Sequence, residues 1–525
     1  MAGESTTQRC KALGDRLKDV READSKNDLI SAIKGALAVH APLGDPGVIE
    51  ATGKRYQRAA ADSNQLHQDV MTVANAGLPD VWTGSTGAKA AEVVAAAARA
   101  VDQQTTALHN GGIALLHLAD ALRSAQSQDG TARSGLQQVL SSLGGEDGWF
   151  DDWFEGDDEE EARKQAQQAA VPHVDAMLNA ARKADEAARA AARDLNKLAS
   201  EARAGKMRTN GVTAADKLVL AETSGANGPT ELNELLTAND MQRSGEYLDK
   251  MNDKDRADFE KLLADSKSPQ ERAYLMKALA AGHSMDEIRA FQGKIHGKDP
   301  QWLREHLTPV YTEDEDRASG GTNGNGSNKN TDHVRFGTAQ WQQADTEGTC
   351  VASSTVTARA MVDPLYALDL TGGPSGQEND PEAFKQRLLA EQHRVHKEGD
   401  GGKNWDGMKP DGKEKVLEKE VSPHTGADFD YKKMPDSDAR RELLPDIEKA
   451  VADGKPVPVG VEGYDKDGKR SGHAMMIVGQ EGNMLQIYNP WGTTTWVSEE
   501  DFVNGHMDGA SDNRLPTAYA VHLPK

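Results

Sequence analysis

From Gly320 to Asn330 the chain carries only Gly, Thr, Asn, Ser and Lys, with no apolar side chain at all. Such a run cannot bury enough surface to offset the entropy of ordering its backbone. Together with the charged stretch from Glu313 to Arg317 it predicts a flexible linker over 312–332, and it rules out one continuous core through 525 residues. The texture differs on its two sides. Before it, alanine-rich segments follow a helical period. After it come short β-like runs at Val457–Val461, Ala474–Val478, Met484–Tyr488 and Thr493–Val497. The expected fold class is therefore multidomain: an all-α N-terminal helical bundle over 1–210, a helical spacer over 211–311, and an α+β domain over 333–525.

Within the first part, residues 1–40 read as short helices, broken at Gly44, Pro46 and Gly47. A long polar helix is expected over about 48–77, stopped by Gly77-Leu78-Pro79. Trp82-Thr83-Gly84 follows, and a second long helix over about 88–126 places Val93, Ala97, Val101, Leu108, Ile113 and Leu116 near one face. Helix, Trp-x-Gly turn, helix describes an antiparallel hairpin. Eight carboxylates between Asp151 and Glu161 read as a solvated loop and the acidic start of the next helix, where they favour the dipole. That helix, about 160–204, carries a heptad seam at Val174/Met177, Ala181/Ala184, Ala188/Ala191 and Leu195/Leu198. Small seam residues let helices approach closely, and four heptads suit internal packing better than a dimer. Asp465-Lys466-Asp467-Gly468 lacks the remaining ligands of a calcium loop and reads as a hairpin turn.

A formal net charge of -23 repels phosphate backbones and anionic membranes, so nucleic-acid binding is not expected. The longest apolar stretch, Gly112 to Leu122, is interrupted by His117 and Asp120 and falls well short of the ~20 residues a membrane helix needs. Stable membrane insertion is not expected. Met1-Ala2-Gly3-Glu4-Ser5 opens no secretory signal peptide, which leaves the cytoplasm or export by a route that reads no N-terminal signal. The two cysteines, Cys10 and Cys350, cannot build a disulfide framework.

The chemistry concentrates after the linker. Cys350 precedes Val351-Ala352-Ser353-Ser354, a run compatible with a buried helix. A cysteine at a helix N-terminus meets the positive end of the dipole, which favours its thiolate. His473, in Gly472-His473-Ala474, opens an apolar strand. A second strand, after a turn near Glu481-Gly482-Asn483, ends at Asn489-Pro490-Trp491-Gly492. Two antiparallel strands of this length put His473 beside Asn489, whose carboxamide oxygen can accept from the imidazole and fix its tautomer. Gly472 offers room for a partner, and Trp491 can shield the bond from water. Cysteine, histidine, asparagine is the order of a thiol nucleophile, its base and the group that orients the base.

Gly-His-Ala, two strands and Asn-Pro-Trp-Gly resemble the papain superfamily, and most of all its calpain-like branch. Cys350, Ala352 and Ser354 resemble that family's cysteine helix. Thr495-Trp496-Val497 with Asp501-Phe502 resembles the segment after Asn-Pro-Trp-Gly in calpain-like domains. The resemblance implies a Cys350–His473–Asn489 triad and an upstream oxyanion glutamine. Gln343 is the candidate, with Gln342 and Gln340 nearby; six residues separate it from Cys350 where the family has five, and Val351 stands where tryptophan is usual. It implies a cysteine peptidase acting on protein or peptide substrates through an acyl-enzyme, with no metal or organic cofactor. Two other readings stay open: a glutamine deamidase or transglutaminase on the same triad, and a binding or scaffold protein with an inactive peptidase fold. The hairpin around Trp82 and Gly84 resembles the WXG helical-hairpin family of type VII secretion substrates. That resemblance implies a toxin-like effector, an export machinery and a neutralising immunity protein as partners.

Overall fold

The computed structural model describes residues 6–77, 85–144, 157–204, 235–310, 321–323, 326–328, 331–344, 346–464 and 466–525. Up to Leu307 every regular element described is helical, and an antiparallel sheet with flanking helices comes after it. The chain is all-α and then α+β. Its contacts divide it into two compact units, one of 1–59 with 108–195, the other of 60–107 with 196–525.

In the first unit, α1 (Thr6–Arg21) and α2 (Lys26–Ala38) pack Leu13, Leu17, Leu29 and Ile33 against Leu136, Val174 and Met177. Ser25 caps α2 by accepting from the Asp28 N–H. Arg133 donates to the carbonyls of Leu37 and Val39 at the other end of α2, supplying donors that the last helical turn lacks. The hairpin helices are α3 (Pro46–Thr72), ending in a π-turn over Val73–Gly77, and α4 (Ser85–Ser142). A Cβ added at Gly53 would lie 2.9 Å from the Gly112 carbonyl, and one at Gly112 would lie 3.0 Å from that of Gly53. Two glycines thus let the backbones cross in contact. Helix α4 runs well beyond the expected 126. The heptad helix α5 (Asp157–Ala204) buries Val174, Met177, Ala181, Ala184 and Ala191; Ala188, Leu195 and Leu198 are only half-buried. Trp82 and Gly84 lie outside the described residues.

In the second unit five helices follow: α6 (Ala238–Lys250), α7 (Asp253–Asp265), α8 (Pro269–Ala280), α9 (Met285–Ile295) and α10 (Pro300–Leu307). Each start is set by its own sequence. Thr237, Asn252, Ser268, Ser284 and Asp299 all accept from a backbone N–H three residues on, each such cap worth about 1 kcal/mol. Their shared core of Phe259, Tyr274, Leu279, Ile288 and Phe291 takes in Leu368 from beyond the linker. Leu368 thus joins that core from the far side of the boundary that the composition suggests near 311. The linker itself differs from expectation: Gly321–Asn323 (β1) and Gly326–Asn328 (β2) pair antiparallel. Backbone hydrogen bonds suffice for that pairing, and they need no apolar side chain.

The sheet has seven strands in the order β3-β10-β9-β8-β7-β11-β6, every neighbour antiparallel. They are β3 (Thr331–His333), β6 (Phe429–Lys433), β7 (Val457–Tyr464), β8 (Arg470–Glu481), β9 (Met484–Asn489), β10 (Thr493–Ser498) and β11 (Thr517–Pro524); short β4 (Arg335–Phe336) and β5 (Ala339–Gln340) pair apart from it. The central strand β8 has a core on each face. Ala474, Met476 and Val478 pack with α11 (Cys350–Val362) and its neighbours, while Met475 and Ile477 pack with α16 (Ser437–Ala452). A strand buried on both sides reads as an unbroken apolar run rather than an alternation, which is why Ala474–Val478 looks as it does. Between α11 and α16 lie α12 (Pro364–Thr371), α13 (Pro381–Glu398), α14 (Pro410–Glu420) and α15 (Ser422–Thr425); α17 (Glu499–Asn504) comes after β10.

Candidate active site

Cys350 is the first residue of α11. Thr349 precedes it without a side-chain cap, and the Thr349 hydroxyl is buried without a partner. The first-turn N–H groups and the positive end of the helix dipole are therefore left for the sulfur. The turn into the helix depends on Gly348, whose N–H donates to the Trp405 carbonyl at 2.7 Å. A Cβ there would lie 3.0 Å from the Trp405 oxygen and 3.0 Å from the Gly407 nitrogen, both backbone atoms.

His473 and Asn489 come from the middle of the sheet. Met476 faces Tyr488 across the β8–β9 ladder, so Asn489 falls opposite Met475 and His473 lies two residues further along the same strand. Diagonal neighbours of this kind are within reach of long side chains. His473 Nε2 is 2.9 Å from Asn489 Oδ1, and both residues are buried. The network assigns the amide: Asn489 Nδ2 donates to the Ala510 carbonyl at 2.8 Å, and Oδ1 also accepts from the Trp491 N–H at 3.1 Å. Oδ1 therefore accepts from the imidazole, Nε2 carries the proton, and Nδ1 is the nitrogen left for the thiol. Trp491 stacks on the imidazole with ring centroids 4.6 Å apart and planes 25° apart.

The electrostatics stem from this placement. Burial pushes the Cys350 thiol up, but its hydrogen bond to His473, the charge of that ring, the Ala474 N–H and the charge of Lys413 outweigh burial and bring it below its ordinary value. Burial pushes His473 down, but its hydrogen bond with Cys350, the charge of the thiolate, the bond to Asn489 and the charge of Asp512 outweigh that and leave it raised. Opposite shifts in a touching acid and base favour a thiolate–imidazolium pair.

No family model, curated protein or solved structure matches this chain.

Cys350, His473 and Asn489 thus converge, with Trp491 against the ring. Gln343 is anchored beside them. Its N–H donates to the Pro490 carbonyl at 2.7 Å, and its neighbour Gln342 bridges to Trp491. One amide hydrogen of Gln343 goes to the Glu347 carbonyl at 3.0 Å, which leaves the second for a ligand. The Gln340 amide is engaged by His333, 3.1 Å from its Nδ1. Gly472 stands in open space: a Cβ there would meet only the Val461 carbonyl at 3.8 Å and an Arg470 nitrogen at 3.9 Å. Close approach at that point does not require glycine.

Several supporting residues carried no sequence signal. Gln392, fully buried on α13, donates to the Gln342 carbonyl at 3.1 Å and to Ser353 Oγ at 3.0 Å, tying the glutamine segment to the cysteine helix. Tyr488 does the same from β9, donating to the Trp341 carbonyl at 2.7 Å and accepting from Thr357 at 3.0 Å. His393 is 2.8 Å from Glu347 and stacks on Trp405 at 3.5 Å between centroids, beneath the Gly348 turn. Asp512 lies in the loop whose Ala510 carbonyl holds Asn489. Lone polar residues such as these have a role only after distant segments meet.

Proposed function

We propose that the C-terminal part of the chain is a papain-like cysteine peptidase, with Cys350 as nucleophile, His473 as base and Asn489 as the group that orients the base. The observation that carries this reading is the His473–Asn489 hydrogen bond beside a cysteine at an uncapped helix N-terminus; the mutual influence of thiol and imidazole, which lowers the one and raises the other, supports it. His473 takes the Cys350 proton and the thiolate attacks an amide carbonyl. The oxyanion is met by the Cys350 N–H and the free amide hydrogen of Gln343. The C–N bond breaks as His473 returns the proton to the leaving amine. Water, deprotonated by His473, then releases the acyl group and regenerates the thiol. No step calls on a metal or organic cofactor.

The WXG-like hairpin supports a matching biological reading: an exported effector, held by a neutralising partner in the cell that makes it and acting on protein outside. Among the described residues no helix is long and apolar enough to cross a membrane. The test uses the full chain and Cys350→Ala, each given an electrophilic thiol probe and a mixed protein substrate. Labelling and new N-termini in the parent alone support the peptidase. Labelling with ammonia release and no new N-termini replaces it with a deamidase on the same thioester chemistry. Labelling equal in both proteins, with no turnover, leaves a binding protein.

A further inference from the structure

At the far end of the cysteine helix three side chains meet that the site at Cys350 does not use. His283 stands in the turn after α8, where Gly282 takes a φ of +92°. Asp363 caps α12 immediately after α11 ends, and His424 belongs to α15. His283 Nε2 is 2.8 Å from Asp363 Oδ1, and His424 Nδ1 is 3.6 Å from Asp363 Oδ2. The two imidazoles face each other with centroids 5.9 Å apart and planes 26° apart. One ligand atom from each of the three lies within 4.8 Å of the others.

The carboxylate has capacity to spare. Asp363 is completely buried, and its Oδ1 accepts from His283 and from the Leu365 and Tyr366 N–H groups. Its Oδ2 is buried with no hydrogen bond at all. A buried carboxylate oxygen left unsatisfied costs stability unless a proton donor or cation meets it.

We propose that His283, Asp363 and His424 form a transition-metal site, suited to Zn2+, that fastens the turn after α8 onto the end of the cysteine helix. Two imidazoles and one carboxylate are a zinc-type donor set, whereas calcium and magnesium prefer oxygen alone. The ion replaces the proton shared by His283 Nε2 and Asp363. His283 Nδ1–H then points toward Glu287 Oε2, 3.6 Å away, the outer-shell carboxylate that metal-bound imidazoles commonly keep. His424 Nδ1 exchanges its contact with the Ala281 carbonyl, now 2.9 Å, for the metal. Among the described residues Arg359 opposes the ion, its Nε 3.5 Å from Asp363 Oδ2. That guanidinium is already held by Glu420 at 2.6 Å and lies 4.0 Å over the Tyr366 ring. With Asp363, Glu287 and Glu420 around it, the pocket remains net acidic. Three protein ligands leave a coordination position for water.

The experiment uses the full chain carrying Cys350→Ser, so that the thiol cannot bind metal, and is independent of what that thiol does. After treatment with chelator, the protein is titrated with Zn2+ and, separately, with Co2+. The expected result is one equivalent of Zn2+ retained on gel filtration, a visible Co2+ absorption band of low coordination number, and a rise in Tm with Zn2+. All three should be lost on adding His283→Gln and His424→Gln, which keep side-chain size and polarity. Should that pair not fold, Asp363→Asn is read in the same way. Failure to retain Zn2+ in the starting protein overturns the proposal. So does equal retention and an equal Co2+ band in the variants, because other histidines would then hold the ion.

Discussion

Replacing Asn489 with alanine tests the link between stability and thiol chemistry in a single side chain. Asn489 is 1% exposed and makes three hydrogen bonds: it accepts from His473 and Trp491 and donates to Ala510. Alanine leaves the Trp491 N–H and the Ala510 carbonyl without their partner. These two cost about 1 kcal/mol each, and the bond to an imidazole that becomes charged costs about 1.5–3 kcal/mol. The sum is about 3.5–5 kcal/mol, or roughly 7–10 °C in Tm at about 2 °C per kcal/mol for a unit of this size. The freed ring also loses its fixed tautomer, so alkylation of Cys350 by iodoacetamide at neutral pH should fall in step with stability. Asn489→Asp keeps an oxygen toward both donors and sets a negative charge beside the ring; it should alkylate faster than Asn489→Ala while remaining less stable than the parent. Differential scanning fluorimetry and a timed alkylation with mass readout measure both effects. Asn489→Ala with the Tm and alkylation rate of the parent would refute the reasoning, because the hydrogen bonds described would then hold neither the loop nor the base.

The same geometry sets three further expectations. In wild type, Cys350 alkylation should persist well below the ordinary thiol range of about pH 8.5. The lowered thiol pKa contributes stability above its unfolded value, lost as pH falls through the folded value; the raised His473 contributes below its unfolded value, lost as pH rises through the folded one. His473→Ala should therefore move the alkylation profile upward in pH, and an unchanged profile counts against the pair. Gly348→Ala forces a Cβ against two backbone atoms at 3.0 Å, costing about 1–3 kcal/mol; the Tm should drop and Cys350 alkylation should change, whereas Gly472→Ala, in open space, should leave both near wild type. Gly53→Leu should separate α3 from α4 at the glycine crossing, read as a lower Tm and faster hydrogen exchange in residues 46–72 and 108–120; unchanged exchange would show that the crossing is not tight.

The parts of this fold that were readable in the sequence are those fixed by short-range pattern. Strands β7 to β10 announce themselves by compact apolar runs and by the Gly482 turn. The pairing of His473 with Asn489 is set by their spacing about that turn. The helical first half is set by its period. Helix lengths were less legible: α4 continues past 126 through Gly130 and Gly135 to Ser142, and a Cβ at Gly135 would strike the His173 ring at 2.2 Å, so the glycine there serves packing against α5. Least legible was the merging of the α6–α10 helices with the sheet region. It rests on contacts such as Asn239 to Thr425 at 3.1 Å, Arg243 to the Pro423 carbonyl at 2.8 Å and His306 to the Glu378 carbonyl at 2.8 Å. Each joins residues far apart in the chain, and no local pattern encodes such a meeting. The Glu347–His393–Trp405 support beneath Gly348 escaped for the same reason.

Strand β8 locks its alternate residues into two separate cores and is flanked by a strand on either edge. Shifting His473 therefore means loosening two apolar layers at once, whereas Cys350 stands at the very start of α11, against the one core that helix shares with β8 and behind the Gly348 turn. A perturbation at the opposite end of α11 should therefore register at Cys350 before it registers at His473.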